Sequence, residues 1–237
     1  MFEERKYREQ INAEGFLKTV VSCKESDLFI LSRSDVKAEA EGLLLEARKD
    51  IENHIGIDNE FLTTLEPHEA GKGAPLIVRK MAEAAKIFGV GPMAAVAGAV
   101  SDYIGEQLSG DVVIENGGDI FIRCKKPVTF GLYAGDHSPF TGKVKFTVRS
   151  NGKPLGVCTS SGTVGHSLSF GKADAVCVIS RNATLADAAA TALCNRVKKV
   201  SDIEDVLAYA QSFEEITGVI AAIGNKIGIW GEIELIK

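Results

Sequence analysis

Ala186-Asp187-Ala188-Ala189-Ala190-Thr191-Ala192 sets a carboxylate and a hydroxyl four residues apart on a predicted helix that otherwise carries only methyl side chains. At that spacing the two oxygens share one helical face, about 6 Å apart at Cβ. A surface this flat suits the close approach of something bulky, such as a nucleotide and its metal ion. Asp and Thr oxygens suit a hard cation like magnesium, which takes one or two protein oxygens and fills its octahedron with water, carbonyls and phosphates. The same letters also fit a helix that binds nothing. Thr184 would be its N-cap with Asp187 at N3, and Thr191 would bond back to the Asp187 carbonyl.

Working outward, residues 173–179 form an apolar strand before this helix. After it come a helix capped by Ser201 with Glu204 at N3, then a hairpin of 218–223 and 227–236 turning at Gly224-Asn225. At the other end, 16–23 and 28–32 read as paired strands. Ser34 or Asp35 then caps a helix of about 20 residues with apolar positions Ala40, Leu43, Leu44, Ala47, Ile51 and Ile55. A loop at 57–74 leads to a helix from Pro75 to Phe88, and a third helix starts with Pro92 in its first turn. Strands follow at 112–115 and 119–124, and 143–149 is expected to form a hairpin with the strand at Val157 through Asn151-Gly152. Strands arranged in hairpins rather than in βαβ alternation predict an α+β fold with antiparallel or mixed sheets and packed helices. With no repeat or shift in composition, 1–237 reads as one domain, 57–74 being the one candidate subdomain boundary.

Composition narrows the function classes. A net charge of −5, with Lys and Arg gathered only in pairs, argues against a nucleic-acid partner. The longest run free of charged residues and histidine, 87–101, holds three glycines and a proline and is shorter than the roughly 20 residues of a spanning helix, so no membrane segment is expected. The N-terminus shows no apolar targeting region, which predicts a cytoplasmic protein. Five widely spaced cysteines without a CxxC pattern read as buried thiols rather than disulfide, zinc or iron–sulfur ligands.

Gly89-Val90-Gly91-Pro92-Met93-Ala94 has the letters of a dinucleotide fingerprint but follows a helix, not a strand, and is set aside. Two other segments carry more. In Asn116-Gly117-Gly118-Asp119, successive glycines between strands permit backbone conformations and approaches that a Cβ would block, with an ordinary hairpin turn as the plainer reading. In the second, Thr159, Ser160, Ser161 and Thr163 surround Gly162, and His166 follows: a loop able to offer hydroxyls and N–H groups to phosphate, or a surface turn with a structural histidine.

The order Asn-Gly-Gly-Asp, Thr-Ser-Ser-Gly, Ala-Asp-Ala-Ala-Ala-Thr-Ala resembles the ApbE superfamily of FAD:protein FMN transferases, whose motifs run GGD, TSG and ADALATA. Gly98 to Asp102 falls where that family has a Lys-Gly-x-x-x-Asp segment, with Ala97 in place of the lysine; the family's His-Ile-Ile-Asp-Pro block is shortened, His166 being its remnant. The resemblance covers about 89–195 and is closest to a cytoplasmic branch of the superfamily. It implies an ApbE-type α+β fold and magnesium held by Asp187, Thr191 and a backbone carbonyl. FAD or FMN would be contacted by Gly117, Gly118, Asp119, Thr159, Ser160, Ser161 and Gly162, with Asp119 and His166 as catalytic candidates. The implied activity is magnesium-dependent FMN transfer to a protein hydroxyl, with a nucleotide-type ligand and a protein substrate as partners. Two alternatives stand beside it. One is a non-flavin accessory role in anaerobic sulfur assimilation toward homocysteine, centred on a reactive Cys158. The other is a structural homologue without catalysis. The small-residue helices could pack on a ligand, on the sheet or on a second subunit in a homo-oligomer.

Overall fold

The computed structural model describes Arg8, residues 13–163 and residues 170–236. Eleven strands and six helices follow in the order β1 (Leu17–Cys23), β2 (Ser26–Ser32), α1 (Lys37–Ile57), α2 (Glu60–Thr63), α3 (Leu76–Phe88), α4 (Val96–Gln107), β3 (Val112–Asn116), β4 (Asp119–Arg123), β5 (Val128–Gly131), β6 (Lys145–Val148), β7 (Leu155–Ser160), β8 (Ala175–Ser180), α5 (Ala183–Arg196), α6 (Asp202–Ala210), β9 (Ile216–Ile223), β10 (Lys226–Gly231) and β11 (Glu234–Ile236). A 3-10 turn, Pro92–Ala95, leads into α4. Eight strands form one sheet in the order β1-β2-β3-β4-β7-β8-β9-β10, and β11-β6-β5 form a second. Every strand pair in both sheets is antiparallel.

The large sheet is buried on both faces. Ile114, Phe121, Cys158, Val176, Val178, Val219 and Ala221 face the helices, while Val113, Ile122, Val157, Ala175, Cys177, Ile179 and Ile220 face the three-stranded sheet. Successive side chains on a strand point to opposite faces, so a sheet covered twice needs continuous apolar runs such as 175–179. Antiparallel sheets more often leave one face to water. Here the second sheet takes the place of that solvent.

Two expected connections differ. The turn at Asn151 (φ 52°) and Gly152 (φ 77°) exists, but β6 and β7 do not pair; each belongs to a different sheet. The turn therefore carries the chain from one layer to the other. Likewise 227–236 is not one strand: β10 pairs with β9, and β11 crosses to β6. Residues 57–74 contain α2, whose Phe61 is fully buried with its ring 4.8 Å from that of His54. The segment is packed onto the helical core.

Small residues let the helices close on one another and on the sheet. A Cβ on Gly98 of α4 would lie 2.2 Å from the Ala183 carbonyl of α5, one on Gly105 2.3 Å from the Phe121 ring, and one on Gly156 of β7 2.2 Å from the Asn182 carbonyl. Ala186, Ala188, Ala189 and Ala190 are all fully buried. The alanine surface is thus used up within the chain, where α5 meets α4 and the sheet, and offers no open platform to a ligand. No single helix among the described residues is long and apolar enough to cross a membrane.

Candidate functional site

The motifs converge at one end of the large sheet. Gly117 and Gly118 form the two-residue loop between β3 and β4, closed by the Asn116–Asp119 pair, and both glycines have left-handed φ values of 72° and 110°. Two positive φ angles in a two-residue hairpin are what a primed turn demands, so the double glycine is fixed by backbone geometry. The bend is tied to α4: Asn116 Nδ2 donates to the Ala97 carbonyl at 3.2 Å, and Ser101 Oγ reaches the carbonyls of Ala97 (3.0 Å) and Asp119 (3.4 Å). Its outer side is held by Glu115, which accepts from the Gly118 N–H and, through its second oxygen, from Arg8 Nε.

Across β4, Asp119 pairs with Cys158 of β7, and the chain runs on through Thr159 and Ser160 to the hydroxyl loop. Ser160 Oγ lies 3.2 Å from Thr191 Oγ1 of α5, and both residues are half-buried. Ser161 Oγ accepts from the Thr163 N–H at 3.1 Å, an exposed local turn. Gly162 is needed for close backbone packing, since a Cβ there would meet the Gly171 carbonyl at 2.3 Å. His166 lies outside the described residues.

Asp187 and Asp102 perform a reciprocal task. The α5 N-cap is Asn182, whose side chain accepts from the Leu185 N–H, so Thr184 and Asp187 form no capping box. Asp187 instead reaches the start of α4, where the Gly98 N–H donates to its Oδ2 at 2.9 Å. Asp102 of α4 reaches back to the start of α5, accepting from the N–H groups of Ala183 (2.9 Å) and Thr184 (2.8 Å) and from Thr184 Oγ1 (2.5 Å). Each carboxylate satisfies orphan amides at the positive end of the other helix's dipole.

Both carboxylates are buried, and neither forms an ion pair with a described Lys, Arg or His. Burial pushes Asp102 up to about 6, against the pull of the Thr184 hydroxyl and the two amides. Burial, and then the charge of Asp119, raise Asp187 well above the usual carboxylate range, opposed by the N–H groups of Gly98 and Ala97. Cys158 sits among all three acids: its thiol donates to the Ala183 carbonyl at 3.3 Å, and burial followed by Asp119 and Asp187 drives its pKa well up. A buried, strongly protonated thiol is inert. The reading of Cys158 as a reactive centre is corrected on that ground.

Asp119, Ser160, Asp187 and Thr191 are therefore brought to one place, with Gly117 and Gly118 as the adjoining bend and Ser161 and Gly162 on the rim, whereas Thr159 turns to the other face of the sheet, toward Cys177, and is not among them. Sequence reasoning missed the anchoring roles of Asn116, Ser101 and Glu115, and the crossed caps. Asn116 stood inside the quoted glycine motif, Glu115 directly before it, and Asp102 four residues from Gly98; apart from the local Glu115–Gly118 and Ser101–Ala97 bonds, their partners are 18 or more residues away in sequence and leave no periodic signal.

Comparison with known proteins places the chain by family and by fold. A family model described as AbpE bacteria matches residues 8–215. The UPF0280 protein of Methanocaldococcus jannaschii is 42% identical over 232 residues, covering 94% of each chain, and that of Methanopyrus kandleri is 38% identical over 218 residues, covering 89% of each. Among solved structures, a mutant of the flavin transferase ApbE from Vibrio cholerae superposes with a TM-score of 0.60 over 92% of this chain and 97% of that one at 10% identity. The ApbE protein of Thermotoga maritima gives 0.57 over 90% and 96% at 13% identity. The fold is ApbE-like, and the chain belongs to the family of that model, with the UPF0280 proteins as its relatives.

Proposed function

We infer that the chain binds a flavin nucleotide or a related phosphorylated ligand, together with magnesium, beside the double-glycine bend, and that phosphoryl-type transfer to a protein hydroxyl is the reaction this site is suited to. One observation carries the reading: the half-buried hydroxyl pair Ser160–Thr191, 3.2 Å apart, stands at the rim of a buried acidic cluster in which Asp187 feels the charge of Asp119. The solved ApbE structure named as a flavin transferase supplies the ligand class.

The donor set fits a hard cation. Its donors are all oxygens, and Asp187, although it accepts the Gly98 N–H, keeps lone pairs available, since a carboxylate offers about four acceptor positions. Asp187 and Thr191 would hold the ion, which when bound supplies positive charge against a pyrophosphate. The chain's own part is positioning: Ser101 and Asn116 fix the bend and Asp119, and the exposed hydroxyls of Ser161 and Thr163 can hydrogen-bond phosphate oxygens. Such chemistry relies on placement and electrostatics more than on covalent help from the protein.

Thermal unfolding with FAD and magnesium tests the reading. Saturation at about 100 times Kd adds about 2.7 kcal/mol, or roughly 5–10 °C for a chain this size. The rise should disappear on chelation and in Thr191→Val, which removes an oxygen from a half-exposed position. An unchanged melting temperature for the native protein overturns it. A scaffold that binds nothing is the second reading, favoured by the Gly98–Asp187 bond, which gives Asp187 a purely architectural task.

A further inference from the structure

At the opposite end of β4 a cavity of about 390 Å³ is lined by Arg33, Gly110, Asp111, Arg123, Lys125 and Gly152. Three cations and one carboxylate give it a formal charge of +2 in a chain whose net charge is −5. Asp119 begins β4 and Arg123 ends it, so the cavity lies about 14 Å from the acidic cluster at strand rise. The two places are opposite in sign as well as in position.

The cations are held ready. Arg123 donates through Nε to the Gly110 carbonyl (3.2 Å), through Nη1 to that of Gly105 (3.0 Å) and through Nη2 to those of Leu108 and Gly110. These carbonyls close the C-terminus of α4, and they hold the guanidinium in place without an opposing full charge. Arg33 stacks 3.8 Å over the Phe16 ring and donates to the Gly15 carbonyl at 2.8 Å; its one acidic neighbour, Asp111, is 3.8 Å away. Asp111 in turn accepts the Lys125 N–H at 3.0 Å, while the Lys125 ammonium has no hydrogen-bond or ion-pair partner among the described residues. Gly110 and Gly152, each at φ 77°, form turns that put no side chain into the opening.

We propose that this cavity is a second ligand site, which takes the dianionic phosphate group of a small molecule. Its volume lies at the lower end of the range for small-molecule sites, and the three cationic side chains among its six lining residues suit an anion. Arg123 keeps one Nη1 N–H beyond its four carbonyl bonds, and with the Arg33 guanidinium and the Lys125 ammonium it offers donors and positive charge to a tetrahedral anion. Asp111 lines the same space, where it accepts the Lys125 N–H and lies 3.8 Å from Arg33 Nε, so it offsets one of the three positive charges.

The test is titration of the full chain, by amide NMR and calorimetry, with two probes: inorganic phosphate and glycerol 3-phosphate. Saturable binding with shifts centred on the Gly110 and Gly152 amides is expected. Affinity should fall about tenfold in Lys125→Ala and again in Arg33→Gln, the loss of one charge-assisted hydrogen bond each. Thr191→Val should bind as the native protein does. Tighter binding of glycerol 3-phosphate assigns the site to a phosphomonoester, and equal binding assigns it to free phosphate. No saturation of either probe below about 10 mM, or shifts confined to the bend at Gly117–Gly118, overturns the proposal. The native-protein shifts decide the matter even if a variant fails to fold.

Discussion

Asp102 shows how one residue can hold a helix in place at an electrostatic cost. Its carboxyl titrates near 6 in the folded chain against an ordinary value of 3.8, because burial outweighs three donors. The folded state therefore binds the proton more tightly than the unfolded chain does. That contribution to stability is fully present below about 3.8 and is lost as pH rises through about 6. The two-unit difference corresponds to about 3 kcal/mol. Urea unfolding of native protein and Asp102→Asn from pH 4 to 7 should show the native chain losing about that much relative to the variant, over that window. A constant difference would mean that the three donors hold Asp102 ionised throughout. Cys158 belongs to the same cluster and gives a second expectation. Iodoacetamide should label the half-buried Cys23 first and leave Cys158 unmodified until the chain unfolds, which peptide mass mapping reads directly. Early labelling of Cys158 would restore the reactive-thiol reading.

At the scale of elements, α4 and α5 are joined by two carboxylates and a missing methyl. Gly98→Ala would place a Cβ 2.2 Å from the Ala183 carbonyl, backbone that cannot yield without prising α5 off the sheet. A loss of about 3 kcal/mol is expected by urea unfolding, at the upper end for overpacking. Gly42 of α1 is the internal comparison: nothing lies within 4 Å of its added Cβ, so Gly42→Ala should gain about 0.5–1 kcal/mol from helix propensity alone. If both changes prove neutral, the close crossing of α4 on α5 is wrong. These elements also mark the limit of what could be read from sequence. The 21-residue α1, α3 behind Pro75 and the double-glycine bend were legible because periodicity, proline and paired glycines are local signals. The crossed caps, the pairing of β11 with β6, and β5 were not, because they depend on contacts between residues far apart in the chain. The alanine run was read as a platform for a ligand, since a helix with small faces looks the same whether a nucleotide or another helix lies against it.

For the molecule as a whole, the question is whether two sheets make one cooperative unit or two. The eight-stranded sheet is common to both cores: Phe121 lies fully buried on its helical face beside Gly105, and Phe146 is buried between the sheets with its ring 5.8 Å from that of Phe130. Ile122 and Val113 on one side and Phe121 and Ile114 on the other alternate along the same two strands. Neither core can be dismantled without exposing strands that the other also needs. Phe121→Ala and Phe146→Ala should each cost about 3–5 kcal/mol, the usual range for a buried phenylalanine. Both variants should still unfold in a single transition, with far-ultraviolet dichroism and Trp230 fluorescence coinciding. A Phe146→Ala protein that loses its small sheet early, while the helical side stays folded to the native midpoint, would show instead that the second sheet is an independent layer.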